Sequence, residues 1–125
     1  MATDYTLWFN PRCSKCRRAL ELLQEAGIEP RLRRYLELPP SAAELEALLA
    51  KLPQPRAAVR TGEPEYPALK LPEGASRAEL AKALSGQPRL LERPILEAGD
   101  RAVVARPPEL VLELVASPAK GAPRA

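Results

Sequence analysis

The chain has 125 residues, a length that fits a single domain with one hydrophobic core. Its composition, 46% hydrophobic and 28% charged, is that of a globular protein and excludes wholesale disorder or a fibrous class. The net charge of +3 is modest and interspersed with acidic residues, so we expect no nucleic-acid binding, whereas a small anionic substrate is compatible. The first residues lack a basic segment followed by an apolar run, and no stretch approaches about 18 apolar residues. We therefore expect a cytoplasmic protein with no membrane association.

The N-terminal third predicts a βαβ unit. Residues 5–9 are rich in aromatic and β-branched side chains, which predicts a strand that Asn10 and Pro11 end. Apolar residues then recur at helical spacing, which predicts a helix over residues 14–26 with Gly27 as its left-handed cap. Residues 31–35 predict a second strand, parallel to the first.

The middle of the chain predicts a helical insertion. Ser41 and Ser76 are each followed three residues later by a glutamate, Glu44 and Glu79, and each pair is the capping-box pattern that starts a helix. Between these helices, residues 53–72 contain several prolines and little periodicity, which predicts only short helical turns.

The last third predicts a hairpin and a final helix. Residues 93–96 and 102–104 favour strands around a Gly99-Asp100 turn, and Pro107 and Pro108 suit the first turn of a helix. This order predicts an α/β, thioredoxin-like domain over residues 1–116, with a mixed four-stranded sheet flanked by helices and a helical insertion. Residues 117–125 are predicted to form a flexible tail.

Reactive side chains are concentrated in residues 10–16, Asn-Pro-Arg-Cys-Ser-Lys-Cys, between the first strand and the first helix. A cysteine in the first turn of a helix faces unpaired backbone N–H groups and the positive end of the helix dipole, which stabilise a thiolate. Arg12, Lys15 and Arg17 add positive charge, and residues 10–19 contain no acidic side chain. We therefore predict a lowered pKa and a nucleophilic role for Cys13.

The second cysteine of the segment has two interpretations. Cys16 lies one helical turn after Cys13, so its sulfur could attack a mixed disulfide on Cys13 and resolve it. Alternatively, Cys16 is a small buried apolar residue of the helix. A closed zinc site, which C-x-x-C spacing can also serve, would lack its other usual ligands because the chain has no further cysteine and no histidine. We expect no metal.

Three arginines at predicted loop edges, Arg60, Arg93 and Arg106, are candidates for anion binding. Guanidinium groups bind tetrahedral oxyanions bidentately and stay charged. Three of them converging on Cys13 would hold and polarise a tetrahedral oxyanion. The alternative is that they are solvated surface charges, and their spacing alone does not decide between the two.

Five segments of the chain are together similar to a known family. They are residues 10–14 (NPRCS), 35–40 (YLELPP), 60–66 (RTGEPEY, with Leu69), 93–95 (RPI) and 106–109 (RPPE). On these motifs, which occur in family order over roughly residues 4–116, the chain resembles the glutaredoxin-coupled arsenate reductases, the ArsC family of the thioredoxin-like superfamily. Thioredoxin-like domains have a cis-proline opposite the active cysteine, so Pro94 is the candidate for that position; the alternative is a trans-proline at the first residue of a strand.

The resemblance also implies a reaction. Cys13 would attack arsenate and form a covalent arsenic–sulfur intermediate, which glutathione as co-substrate and a glutaredoxin would reduce, with release of arsenite. No bound cofactor is implied; the protein partner would be a glutaredoxin or a thioredoxin, and we expect a monomer. The residues expected to bind the oxyanion or shape its loop are Asn10, Arg12, Ser14, Arg60, Arg93 and Arg106.

Two positions depart from the family pattern. The characterised reductases carry a histidine shortly before the cysteine motif, where this chain has Phe9, so thiolate stabilisation would depend on the helix terminus and the arginines. Cys16 stands where those reductases usually have no cysteine, whereas Spx-type regulators of the same superfamily carry C-x-x-C there.

These departures leave two rival functions beside arsenate reduction. One is an Spx-like redox switch that binds RNA polymerase and changes state when Cys13 and Cys16 form a disulfide. The other is a general disulfide oxidoreductase of the glutaredoxin kind, although the Cys-Ser-Lys-Cys core has neither a proline nor an aromatic residue between its cysteines.

Overall fold

The computed structural model describes residues 4–116. Strands and helices follow one another as the sequence predicts: strand, helix, strand, two helices, two strands and a last helix. They are β1 Tyr5–Trp8, α1 Ser14–Glu25, β2 Arg31–Arg33, α2 Ala42–Leu49, α3 Arg77–Gly86, β3 Ile95–Ala98, β4 Arg101–Val104 and α4 Val111–Ala116.

Within the described residues the strands form one sheet in the order β2, β1, β3, β4. Strand β1 lies at the centre, where Leu7 is opposite Leu32 of the parallel strand β2 and opposite Leu96 of the antiparallel strand β3. Strand β4 continues the sheet antiparallel to β3. The predicted mixed four-stranded sheet and its βαβ unit are confirmed.

The sheet is covered on both faces. Because successive side chains of a strand point to opposite faces, Leu7 packs into a core with residues of α1 and α4, and Trp8 packs into a second core with residues of α2 and α3. The insertion therefore forms one complete covering layer. The C-terminal end of β1 is fixed between the two cores, which determines where the reactive segment that follows it begins.

Two of the predicted strand ends were wrong by one or two residues. Strand β1 ends at Trp8 rather than at residue 9, directly before the loop opened by Asn10 and Pro11. Strand β2 ends at Arg33 rather than at residue 35, because the chain turns there and the Tyr35 N–H donates to the Arg33 carbonyl at 3.1 Å.

The helix end and the hairpin also shift slightly from their predicted bounds. Helix α1 ends at Glu25 with Ala26 as its cap, and Gly27 takes the predicted left-handed conformation with a φ of 82°. Strand β3 begins at Ile95 rather than at residue 93 and extends to residue 98, since Pro94 has no N–H to donate to a ladder. Strand β4 begins one residue earlier than predicted, at Arg101.

The helices of the insertion begin as predicted. Ser41 and Ser76 each accept a hydrogen bond from the backbone N–H of Glu44 and Glu79, at 3.1 Å in both cases, and both capping boxes are complete. The segment between α2 and α3 contains the short 3₁₀ turns Pro55–Ala58 and Pro67–Leu69. The predicted tail, residues 117–125, lies outside the described residues. In the described part of the chain no helix combines the length and apolarity needed to cross a membrane.

Candidate active site

The loop between β1 and α1 holds Cys13 at the start of the helix. Asn10 closes this loop: its side-chain Oδ1 accepts from the Arg12 N–H and its carbonyl accepts from the Cys13 N–H, each at 3.0 Å. Cys13 is the N-cap of α1, with an extended backbone. A short asparagine side chain that binds the backbone two residues ahead is typical of such turns, so the local sequence itself places the cysteine.

The surroundings of Cys13 favour its thiolate. Partial burial by itself raises the pKa of Cys13, but hydrogen bonds to the sulfur outweigh it; they come from the backbone N–H of Cys16, the Cys16 thiol, the Arg93 guanidinium and the Lys15 N–H. The Cys16 and Lys15 N–H groups belong to the first turn of α1, so the positive end of the helix acts on the negative charge of the thiolate. The pKa of Cys13 therefore lies below that of an ordinary cysteine, the direction predicted from the sequence.

Cys16 is a very different thiol. It has no exposed surface, and its Sγ accepts a hydrogen bond from the Asn10 N–H at 3.5 Å. Burial, together with the nearby charge of Cys13, raises the pKa of Cys16 to about 12. Cys16 is thus protonated and donates to the Cys13 thiolate, and solvent reaches the pair only on the side of Cys13.

Arg93 is the arginine that contacts the reactive sulfur. Its guanidinium hydrogen-bonds the Cys13 sulfur, and the peptide bond from Arg93 to Pro94 is cis. Burial lowers the pKa of Arg93, but Tyr35 and the two cysteines more than offset this, so its pKa is raised and the guanidinium stays charged. The Pro94 carbonyl accepts from the Ala105 N–H at 2.8 Å, which fixes this corner of the sheet.

The other two predicted arginines meet at a carboxylate rather than at the thiol. Glu92 Oε1 lies 3.0 Å from Arg60 Nη1 and 3.3 Å from Arg106 Nη1. Arg106 Nη1 also donates to the Arg93 carbonyl at 2.8 Å, so the three predicted arginines are joined in one network. Arg60 Nε lies 3.2 Å from Glu63 Oε1, an ion pair without hydrogen-bond geometry.

The remaining predicted residues lie at the rim of the site. Arg12 and Ser14 are exposed on the loop and on the first turn of α1. Asn10, Cys16 and Arg93 each contact Cys13. Arg12 contributes its backbone N–H to the loop.

Two residues near the site were missed from the sequence as functional candidates. Tyr35 is fully buried, its hydroxyl has no hydrogen-bond partner among the described residues, and burial raises its pKa to about 12. Arg93 and both cysteines act electrostatically on this hydroxyl, so it lies near the same centre. Glu92 is the second. In the sequence Glu92 is simply an acidic residue next to Arg93, and this position does not indicate that its carboxylate pairs with Arg60 and Arg106.

The described residues offer no metal centre. Across residues 4–116, no group of three or more cysteine, aspartate, glutamate or histidine side chains is arranged to hold a metal ion. The arrangement instead combines a stabilised thiolate, a second buried thiol and three guanidinium groups. Chemically, it can present a sulfur nucleophile to a small anion.

Comparison with known proteins places this geometry in a family. The model of the ArsC family matches residues 8–114. The chain is 42% identical over 112 residues to the arsenate reductase of Haemophilus influenzae, covering 87% of this chain and 97% of that protein. It is equally 42% identical over 118 residues to the uncharacterized protein YfgD of Escherichia coli K12, covering 92% and 99%.

Solved structures show the same relationship. The structure of the arsenate reductase from Vibrio cholerae superposes with a TM-score of 0.80 at 39% identity, covering 91% of this chain and 99% of that one. This confirms the thioredoxin-like fold with its helical insertion. With a family match over most of its length and relatives of high coverage, this chain belongs to the ArsC family.

Proposed function

We propose that this protein is a thiol-dependent arsenate reductase in which Cys13 is the nucleophile. The observation that carries the proposal is the stabilised Cys13 thiolate in contact with the Arg93 guanidinium, at the open end of a site that contains two further arginines. Relatives at 40–42% identity carry the name arsenate reductase, which supports arsenate as the substrate.

In the first step the Cys13 thiolate forms a bond to the arsenic of arsenate, and one arsenate oxygen takes up protons from solvent and leaves as water. Arg93 lies where it can bind both the thiolate and the incoming oxyanion, since a guanidinium offers several N–H donors. Arg60 and Arg106 lie in the same network, where both pair with Glu92. The product of this step is a covalent Cys13–arsenic(V) intermediate.

In the second step another thiolate attacks the Cys13 sulfur. The sulfur–arsenic bond breaks and its electron pair goes to arsenic, which becomes arsenite, while the two sulfurs are oxidised to a disulfide. Glutathione can supply this thiolate, after which a glutaredoxin reduces the mixed disulfide. Cys16 can also supply it, and a thioredoxin then reduces the internal disulfide.

The position of Cys16 supports a part in this second step. Its sulfur already hydrogen-bonds that of Cys13, and an external thiol cannot reach it because it is fully buried. Once Cys13 is bonded to arsenic, the negative charge and the hydrogen bond that keep Cys16 protonated are gone. The Asn10 N–H remains to stabilise its thiolate. A thiol that attacks in this way needs a reducing compartment, so we expect the protein to act in the cytoplasm.

The test is arsenate reduction by the wild type and by the variants Cys13→Ser and Cys16→Ser, first with glutathione and glutaredoxin and then with thioredoxin. We expect Cys13→Ser to be inactive in both systems. If Cys16 resolves the intermediate, Cys16→Ser loses thioredoxin-driven turnover and keeps glutathione-driven turnover.

Absence of turnover by the wild type in both systems would overturn the reductase. The adjacent thiol pair would then favour a dithiol function, and reduction of a small disulfide by the wild type but not by Cys16→Ser would identify it.

A further inference from the structure

We propose that Glu92 weakens substrate binding, because in the free protein its carboxylate occupies the anion position between Arg60 and Arg106. The proposal rests on the proposed function in one respect only: the anion that replaces Glu92 is taken to be the substrate oxyanion. This anion is a tetrahedral oxyanion of the size of arsenate or phosphate.

The geometry around Glu92 is that of a bound anion. A single oxygen, Oε1, faces three N–H donors: Arg60 Nη1 at 3.0 Å, Arg106 Nη1 at 3.3 Å and the backbone N–H of Arg93 at 3.2 Å. Two guanidinium groups and a backbone N–H converging on one oxygen are the contacts that an oxyanion oxygen would make. The carboxylate therefore fills the position that a substrate oxygen needs.

The ion pairs around Glu92 show why this contact lowers the affinity for the substrate. Arg60 is paired with two carboxylates, Glu63 and Glu92, and Arg106 shares Glu92 with it. The two guanidiniums are thus largely neutralised by protein charges, and Arg93 is the arginine directed at the thiol. An incoming oxyanion must displace Glu92 from at least one arginine, so its affinity is lowered by the strength of that contact.

The surroundings allow this displacement. The Glu92 side chain is partly exposed, and a cavity of about 300 Å³ lined by residues 59–63 and Glu92 opens beside it. Arg106 Nη1 keeps its hydrogen bond to the Arg93 carbonyl at 2.8 Å when the carboxylate leaves. The backbone of Arg60 is held independently, because its N–H donates to the Leu90 carbonyl at 2.8 Å. Both arginines therefore remain in place for the oxyanion.

The experiment measures sulfate binding by isothermal titration calorimetry to the full chain. Sulfate is a tetrahedral dianion that a thiol does not reduce, so the measurement does not depend on turnover. We expect Glu92→Gln, which keeps the size and one acceptor oxygen, to lower the Kd of sulfate about tenfold, equivalent to about 1.4 kcal/mol. Glu63→Gln is the matched control, because it removes a carboxylate that pairs with Arg60 and not with Arg106. It should lower the Kd of sulfate by less than Glu92→Gln does.

A double variant tests whether the gain comes through the arginine pair. In an Arg106→Ala background, Glu92→Gln should lower the Kd of sulfate by clearly less than in the wild type. Unchanged or weaker sulfate binding by Glu92→Gln would mean that the carboxylate aligns the arginines rather than competing for them, and would overturn the proposal. Absence of sulfate binding in every variant would also overturn it.

Steady-state kinetics separate this result from the proposed function. If the protein reduces arsenate, Glu92→Gln should lower KM for arsenate, and KM should change by a larger factor than kcat. Tighter sulfate binding by Glu92→Gln in a protein that does not reduce arsenate would overturn the reductase and support the role of Glu92.

Discussion

The Arg93 guanidinium binds the Cys13 sulfur, although the two residues are 80 positions apart in the sequence. Cys13 is placed by the loop after β1, and Arg93 by the segment that leads into β3. Because β1 and β3 are adjacent strands, with Trp8 opposite Ile95, the ends of both segments meet at the same edge of the sheet. The thiolate is therefore stabilised jointly by a local feature, the helix terminus, and by a distant charge.

Removing that charge should change the reactivity of Cys13. We expect Arg93→Ala to raise the pKa of Cys13, because a hydrogen bond to the thiolate and a positive charge are both lost. Alkylation by iodoacetamide at pH 7 should slow, and its pH profile should move to higher pH. Arg12→Ala removes an exposed guanidinium next to Cys13 in sequence and is the control. An unshifted profile for Arg93→Ala would mean that the helix terminus alone stabilises the thiolate.

Tyr35 offers a prediction about stability. Its buried hydroxyl has no hydrogen-bond partner among residues 4–116, and an unpaired buried hydroxyl costs about 1–3 kcal/mol. We expect Tyr35→Phe to raise the free energy of unfolding, measured by urea denaturation. Tyr66→Phe should instead lower it by about 1 kcal/mol, since the Tyr66 hydroxyl accepts from Arg56 Nη2 at 2.9 Å. Destabilisation by Tyr35→Phe would show that its hydroxyl is paired in solution.

Arg106 should be required for substrate affinity. A charge-assisted hydrogen bond contributes about 1.5–3 kcal/mol, so Arg106→Ala should raise KM for arsenate roughly tenfold or more without unfolding the protein. Arg89→Ala, which removes an exposed arginine paired with Glu65, should leave KM unchanged. Equal kinetics for the wild type and Arg106→Ala would identify Arg106 as a surface charge.

Glu44 makes part of the stability depend on pH. Two hydrogen bonds lower the pKa of Glu44 below the unfolded value of about 4.3. The larger effect comes from the Arg33 guanidinium and the smaller from the Ser41 N–H. Because the folded pKa is the lower one, its contribution is complete above about pH 4.3 and is lost as the pH falls through the folded pKa.

Urea denaturation at pH 7 and pH 3 measures this contribution. Glu44→Gln should lower the free energy of unfolding at pH 7 by about 0.5 kcal/mol, a small value because solvent screens the exposed pair. At pH 3 the difference from the wild type should be smaller. An equal loss of stability for Glu44→Gln at both pH values would contradict the assignment.

The sequence determined most of the fold and the centre of the site by itself, because the signals for these features are local. Hydrophobic periodicity, the capping boxes at Ser41 and Ser76, and Gly27 predicted most elements to within one or two residues. The last helix is the exception: the prolines predicted for its first turn lie at the start of a 3₁₀ turn, Pro108–Leu110, and α4 begins only after this turn. The position of Cys13 before a helix predicted the direction of its pKa shift.

Only the tertiary structure decided how the distant charges pair. Nothing in the spacing of the sequence shows that Arg93 reaches the thiol while Arg60 and Arg106 share a carboxylate, since these contacts depend on which strand ends meet at one edge of the sheet. The same holds for Cys16: its distance in sequence allowed both a resolving and a structural thiol, and the packing of α1 decided that it is buried against Cys13. Side-chain contacts between segments far apart in the chain are properties of packing, and packing exists only once the sheet and its two covering layers have formed.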